Sequence, residues 1–208
     1  DLLDLGALEL SGAIAAREVS PVEVMRESLA RIDALNPALN AIVSLRDREA
    51  LMGEARLAEA MPPQGWLHGI PIAVKDLVAV KGLRSTSGSP LLAEFIPAAD
   101  DGIVRALRGA GAIVIGKTNV PAYGLGSHST NTVFGATRGP YEPSRTAGGS
   151  SGGAGAALAA RMVCVADGSD MMGSLRNPAA WNNVYGFRPS VGLVAGEAGD
   201  SVVQHKLS

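Results

Sequence analysis

Apolar residues recur at helical spacing through the first part of the chain, then give way to short unbroken apolar runs. Leu2, Leu5, Leu8 and Leu10 begin an apolar face that Ile14 continues. Val22, Met25, Leu29, Ile32 and Leu35 repeat at three- and four-residue intervals, which predicts an amphipathic helix. Ser20-Pro21-Val22-Glu23 is its start signal: an N-cap serine, proline at the first helical position and a glutamate three residues after the serine. Asn36-Pro37 is expected to stop it. A third helix is predicted over Asp47–Ala60, closed by Pro62-Pro63. Residues 1–60 thus read as a helical segment packed on a core, and nothing in them suggests chemistry.

Beyond residue 66 the period changes. Ile70-Pro71-Ile72-Ala73-Val74, Ala112–Ile115 and Met162–Ala166 are short apolar runs of the kind that form buried strands. Helices are predicted between them over Asp101–Gly111 and, from an Ala-rich run, over Ala154–Arg161. Helices alternating with short apolar strands define an α/β class.

Charge and composition remove several functions. The chain has 208 residues, with 18 basic against 20 acidic side chains and a formal charge of −2. That balance gives no electrostatic footprint for nucleic acid or an anionic membrane. No stretch approaches the ~18 apolar residues of a membrane span, and the N-terminus carries no signal-peptide pattern. The single cysteine, Cys164, excludes a disulfide within the chain, reads as a buried small hydrophobe and fits a reducing, cytoplasmic compartment. Apolar residues make up 47%, enough for a substantial core.

Glycine is abundant, at 26 residues, and it concentrates around serines. Gly148-Gly149-Ser150-Ser151-Gly152-Gly153 and Gly168-Ser169-Asp170-Met171-Met172-Gly173-Ser174 flank the Ala-rich helix. Such loops let backbone N–H groups crowd round an anionic ligand, and their apolar centre sets them apart from a repetitive Gly/Ser linker. Two literal motif matches fail on context. Gly111–Thr118 fits the P-loop pattern, but its intervening residues Ala-Ile-Val-Ile are the strand itself and Pro121 follows closely. Gly149-Ser150-Ser151-Gly152-Gly153 fits the nucleophile elbow, but no strand precedes it and the only downstream histidine is His205. His68 and His128 read as structural or surface residues, and no Cys/His/carboxylate spacing suggests a metal site.

A serine nucleophile without histidine can use a neutral lysine. An unperturbed lysine is only about 0.04% neutral at pH 7, so the base must be buried. Lys75, directly behind Ile70–Val74, is the best placed; Lys81 and Lys117 follow strands less closely, and Lys206 sits in the tail. Asp170–Ser174 offers consecutive backbone donors beside a serine for an oxyanion hole.

Ile72-Ala73-Val74-Lys75-Asp76, Gly148–Gly153, Gly168-Ser169-Asp170-x-x-Gly173-Ser174-x-Arg176-x-Pro178-Ala179 and Tyr185-Gly186-Phe187-Arg188-Pro189-Ser190 together resemble the amidase signature family. Gly116-Lys117-Thr118-Asn119 and Phe134-Gly135-x-Thr137-Arg138-x-Pro140 occur there too, so the resemblance runs through nearly the whole chain in order. It implies a mixed, largely parallel β-sheet covered by helices in a single domain. A helical segment, residues 1–60, would precede a catalytic core segment, residues 66–208, with the family's C-terminal part lacking. It also implies a Ser–cis-Ser–Lys triad, with Ser174 as nucleophile, Ser150 as bridging serine and Lys75 as base. The N–H groups of Met171, Met172, Gly173 and Ser174 would line the oxyanion hole; Asp170 and Arg176 would brace the turn. Ser151 is either a helix-opening residue or a direct part of the centre.

The implied reaction is hydrolysis of a small-molecule carboxamide to a carboxylate plus ammonia or amine through an acyl-enzyme. It calls on no cofactor, nucleic acid or membrane; homo-oligomerisation stays open. Two alternatives remain. One is the glutaminase component of an aminoacyl-tRNA amidotransferase, which Gly126-Ser127-x-x-x-Asn131 resembles locally; the other is a non-catalytic binding relative. Three departures matter. Met172 stands where the family has glycine, which strains the hole if that position needs φ > 0. Met171 replaces a small or threonine-like residue, and Trp181-Asn182-Asn183-Val184 is expected to shape substrate access.

Overall fold

A computed structural model of the chain describes residues 2–194. Gly199–Leu207, with His205 and Lys206, lies outside the described residues. Four strands form the main sheet: β1 (Ile42–Val43), β2 (Pro71–Lys75), β3 (Ile113–Thr118) and β6 (Val165–Ala166), in the order β1-β3-β2-β6. β2 runs parallel to β3 and to β6, and β1 runs antiparallel to β3, so the sheet is mixed and largely parallel. Two further short strands, β4 (Thr130–Asn131) and β5 (Gly135–Ala136), make a separate antiparallel pair.

Period-two alternation along β2 and β3 splits the core into two layers. Ala73, Ile113 and Ile115 face one layer, with Met25, Leu29 and Ile32 of α2 (Pro21–Leu39), Leu51 and Ala55 of α3 (Arg48–Ala60), and Ala156 and Ala157 of α5 (Gly152–Ala159). Ile72, Val74 and Val114 face the other, with Leu10 and Ile14 of α1 (Ala7–Ala15) and Val104 of α4 (Gly102–Gly109). Helices thus cover both faces of the sheet, the layering expected of an α/β chain.

Helix α2 begins as its sequence predicts. Ser20 Oγ accepts from the Glu23 N–H at 3.1 Å, while Glu23 Oε2 accepts from the Ser20 N–H at 2.9 Å. It does not stop at Asn36-Pro37. Pro37 costs one backbone hydrogen bond, but the helix continues to Leu39, where Asn40 turns left-handed at φ 51° and closes it through an N–H bond to Asn36 O. The Asn36 side chain then accepts from the N–H groups of Ala41 and Ile42 and carries the chain into β1. Residues 1–60 are therefore not wholly helical: buried Ile42-Val43 closes one edge of the sheet. Strand β3 runs on to Thr118, past the Ile115 that ends its apolar run. Helix α5 starts at Gly152, earlier than the Ala-rich run suggests, and β6 shrinks to Val165–Ala166. Gly153 explains that start. A Cβ there would sit 2.2 Å from Asn119 N, so only glycine lets α5 lie against the end of β3.

Candidate active site

The C-terminal ends of β2, β3 and β6 converge beneath the start of α5 and the turn that leads into α6 (Arg176–Trp181). Lys75 is the last residue of β2, on the face that carries Ala73, and its side chain is 0% exposed. Its Nζ donates to Ser150 Oγ at 2.8 Å, Ser151 Oγ at 2.8 Å and Ser169 Oγ at 2.9 Å. Three acceptors match the three N–H donors of an ammonium group. Burial nevertheless disfavours the charge and pulls the lysine down to about 8, against the opposing pull of Asp167 and then Asp170. Asp167 also accepts the Lys75 backbone N–H at 2.6 Å, so it orders the strand end as well as facing its charge.

The three hydroxyls are not equivalent. Ser151 Oγ donates to Ser169 O at 3.3 Å, which commits its proton to a carbonyl. It makes no capping bond to α5 although Ser151 occupies the N-cap position. The direct contact with Lys75 thus takes the place of a helix-opening role for that hydroxyl. Ser150 follows a cis peptide bond after Gly149, and Gly148 turns at φ 81° just before it. Among the described residues, the Ser150 hydroxyl has no carbonyl acceptor of its own.

Ser174 lies beside this cluster. Its carbonyl accepts from the Ser151 N–H at 2.9 Å, while its hydroxyl donates to Met171 O at 3.2 Å. The turn before it is built round Asp170. That carboxylate accepts from the N–H groups of Gly173 at 2.7 Å and Arg176 at 3.1 Å, and from Arg176 Nε at 2.8 Å and Nη2 at 3.0 Å. The Arg176 guanidinium foremost holds the Asp170 carboxyl well below the usual carboxylate range. Arg188 adds a second cation, with Nε 3.9 Å from Asp170 Oδ1. Because Gly173 N–H is engaged by Asp170, the donors left to face a ligand in this turn are those of Met171, Met172 and Ser174. Met172 sits at φ 64° and its side chain is 89% exposed, so it strains the turn without filling the site.

Other candidates fall elsewhere. His68 is buried against Ala58 O, with Nε2 2.9 Å from it, and His128 lies on the surface with Nδ1 3.2 Å from Thr146 Oγ1. Cys164 is half-buried, and its apolar surroundings push the thiol up to about 11. Asn182 is buried rather than placed at a substrate entrance.

Sequence reasoning missed three polar groups. Ser169 completes the lysine's tripod, and its place beside Asp170 in the second glycine loop was the available signal. Asp167 stands one residue before that loop. Lys117 is fully buried in β3, contrary to the expectation from its distance past the apolar run. It donates to Val78 O and, at 3.1 Å, to Ser85 Oγ, and its Nζ lies 3.8 Å from Asp76 Oδ1. Burial lowers its proton affinity from the ordinary lysine value. Asp76 in turn accepts from the Thr86 N–H at 3.1 Å and from its hydroxyl at 2.5 Å.

This fold and these motifs are those of the Amidase family, to which the chain belongs: the family's sequence model matches residues 23–203. It is 45% identical over 189 residues to the glutaminase-type component of the glutamyl-tRNA(Gln) amidotransferase of Thermus thermophilus, covering 91% of this chain and 39% of that protein. Among solved structures it resembles a bacterial aryl acylamidase of the amidase signature family, with a TM-score of 0.88 and 35% identity, covering 95% of this chain and 42% of that one. It also resembles the native peptide amidase of Stenotrophomonas maltophilia, with a TM-score of 0.87 and 34% identity, covering 92% and 41% of the two chains. The chain therefore spans about two-fifths of the length of the curated relative it matches.

Proposed function

We propose that this chain carries the acyl-transfer centre of an amidohydrolase, with Lys75 as base, Ser150 as proton bridge and Ser174 as nucleophile. One observation carries the reading: a fully buried lysine amine rests on the Ser150 hydroxyl, in a loop joined main chain to main chain with Ser174. At pH 7 a lysine titrating at about 8 is roughly one-tenth neutral, some two hundred times more than an unperturbed one. The neutral amine has two donors and one lone pair. It keeps Ser151 and Ser169 as acceptors and takes the Ser150 proton, because the Ser151 proton is committed to a carbonyl.

The Ser174 hydroxyl leaves Met171 O and gives its proton to Ser150 as its oxygen bonds to the amide carbonyl carbon. The negative charge that develops on the carbonyl oxygen is met by the N–H groups of Met171, Met172 and Ser174. Collapse of that intermediate breaks the C–N bond, and the relay returns the proton to the departing amine. Water then attacks the acyl-serine by the same relay, releasing a carboxylate and restoring Ser174. Asp170 and Arg176 act by holding the turn.

A second reading draws on the similarity to the amidotransferase component. The same centre would release ammonia from glutamine and pass it to a partner protein. A cytoplasmic location belongs to either reading and is supported by the lone cysteine.

The test is intact-protein mass after treatment with a fluorophosphonate. The unmodified chain is expected to gain one adduct that is absent in Ser174→Ala and slowed in Ser150→Ala and Lys75→Ala. An adduct that persists in Ser174→Ala sinks the assignment. Ammonia release from a panel of amides and from glutamine, with and without amidotransferase partner proteins, then separates the two readings.

A further inference from the structure

Asn182 takes no part in the proposed relay, yet it is 1% exposed and its amide joins the two loops that do. It follows α6, the helix that begins two residues after Ser174. Its Nδ2 donates to Ala147 O at 2.8 Å and to Pro178 O at 2.7 Å, and its own N–H donates to Pro178 O at 3.0 Å. Ala147 immediately precedes Gly148-Gly149-Ser150, and Pro178 lies one turn of helix beyond Ser174. The neighbouring Trp181 ring covers the same loop: a Cβ on Gly148 would sit 3.1 Å from its Cε3. Helix α5 makes room for the amide only because residue 155 is glycine, since a Cβ there would meet Nδ2 at 2.8 Å.

A single tie between two loops sets a distance and leaves a hinge. The Ser151 N–H bond to Ser174 O is such a tie. The Asn182 amide supplies a second, on the other side of the Gly148–Ser150 segment, and two separated ties fix tilt as well as distance. We infer that Asn182 is a positioning residue that sets the placement of the Ser150 hydroxyl against the Ser174 hydroxyl. The inference rests on the reading of Ser174 as nucleophile. Misplacement of reacting groups by about 1 Å costs on the order of a hundredfold in rate. Removal of the amide therefore acts on bond formation, while reagent affinity and the titration of Lys75 stay as they are.

The experiment follows fluorophosphonate labelling of the full chain by intact mass at several reagent concentrations and pH values. Rates are corrected for the folded fraction read by circular dichroism. Asn182→Leu removes both donors at similar volume. Gly155→Ala keeps the donors but pushes them aside while favouring α5 as a helix. Both are expected to lower the maximal labelling rate at least tenfold, with half-saturation and pH midpoint unchanged; Asn183→Gly, an exposed neighbour, leaves all three unchanged. If Asn182→Leu does not fold, Gly155→Ala decides. A folded variant labelled at the unmodified maximal rate overturns the inference, as does a rate loss that arises from a shifted half-saturation or pH midpoint. Absence of any adduct on the unmodified chain overturns the Ser174 reading and this inference together; an adduct that forms equally fast on both variants overturns this inference alone.

Discussion

The Ser151 N–H donates to the Ser174 carbonyl oxygen across 2.9 Å, so the two glycine-rich loops meet through main chain. Side-chain truncation at Ser174 leaves that bond in place. Ser174→Ala is therefore expected to abolish fluorophosphonate labelling while changing unfolding free energy by less than about 0.5 kcal/mol. Chemical denaturation beside the labelling assay checks both halves, and a larger loss of stability would mean that the hydroxyl bond to Met171 O holds the turn.

Lys75 gives a pH dependence whose sign follows from its burial. Its proton affinity falls from the ordinary lysine value to about 8, and the neutral form is the proposed base. Labelling is expected to rise with pH along a single titration with a midpoint at about 8. Stability moves the same way. Between about 8 and 10.5 the unfolded chain holds the proton that the folded chain has released, so unfolding free energy from this group increases through that window. Lys75→Met removes the increment, which denaturation at several pH values would detect.

Asp167 is the largest charge opposing that shift, and its Oδ1 holds the Lys75 N–H. Asp167→Asn keeps an acceptor oxygen and loses the charge. The labelling midpoint is expected to move to lower pH than in the unmodified chain. An upward movement would show that the acid is neutral when Lys75 titrates.

At acid pH the Asp170 carboxylate dominates the turn before Ser174. Its proton affinity is depressed in the folded state, chiefly by the Arg176 guanidinium. Its stabilisation is thus complete above the unfolded value near 3.8 and is lost as pH falls below it. Asp170→Asn is expected to cost about 1–3 kcal/mol at pH 7, because charge-assisted bonds to buried N–H groups are lost. It is also expected to flatten the decline of stability below pH 4. A variant as stable as the parent at pH 7 would remove Asp170 from this role.

Met172 tests backbone strain. A side chain at φ 64° costs about 1–2 kcal/mol, while glycine frees the unfolded chain by roughly 1 kcal/mol. Met172→Gly is therefore expected to stabilise by less than about 1 kcal/mol. Met172→Val, branched at Cβ, is expected to destabilise by about 1 kcal/mol or more. Equal stabilities for the three would show that the turn relaxes round its side chain.

Local signals in the sequence were legible because their physics is local. The Ser20–Glu23 box, the glycine-flanked serines and the apolar run ending in Lys75 each report a few neighbouring residues. Pro37 misled for the same reason. Its local penalty is real, but the Asn36 side chain and left-handed Asn40 close the helix beyond it. Lys117 was misread because its burial depends on pairing: β3 sets it beside Val74 of β2, within reach of Asp76, and no spacing along one strand announces a partner on the next. Asn182 belongs to the same class, since its acceptor Ala147 lies 35 residues away.

The tripod of hydroxyls round Lys75 bears on what a change of charge demands of the protein. In water, a lysine that loses its proton forces the surrounding dipoles to turn over. Here Ser151 and Ser169 serve the amine in either state, and only the Ser150 O–H bond must swing round its C–O axis. The proposed relay can therefore charge and discharge its base without shifting a heavy atom around Lys75, so little of the barrier to proton transfer goes into reorganising the site.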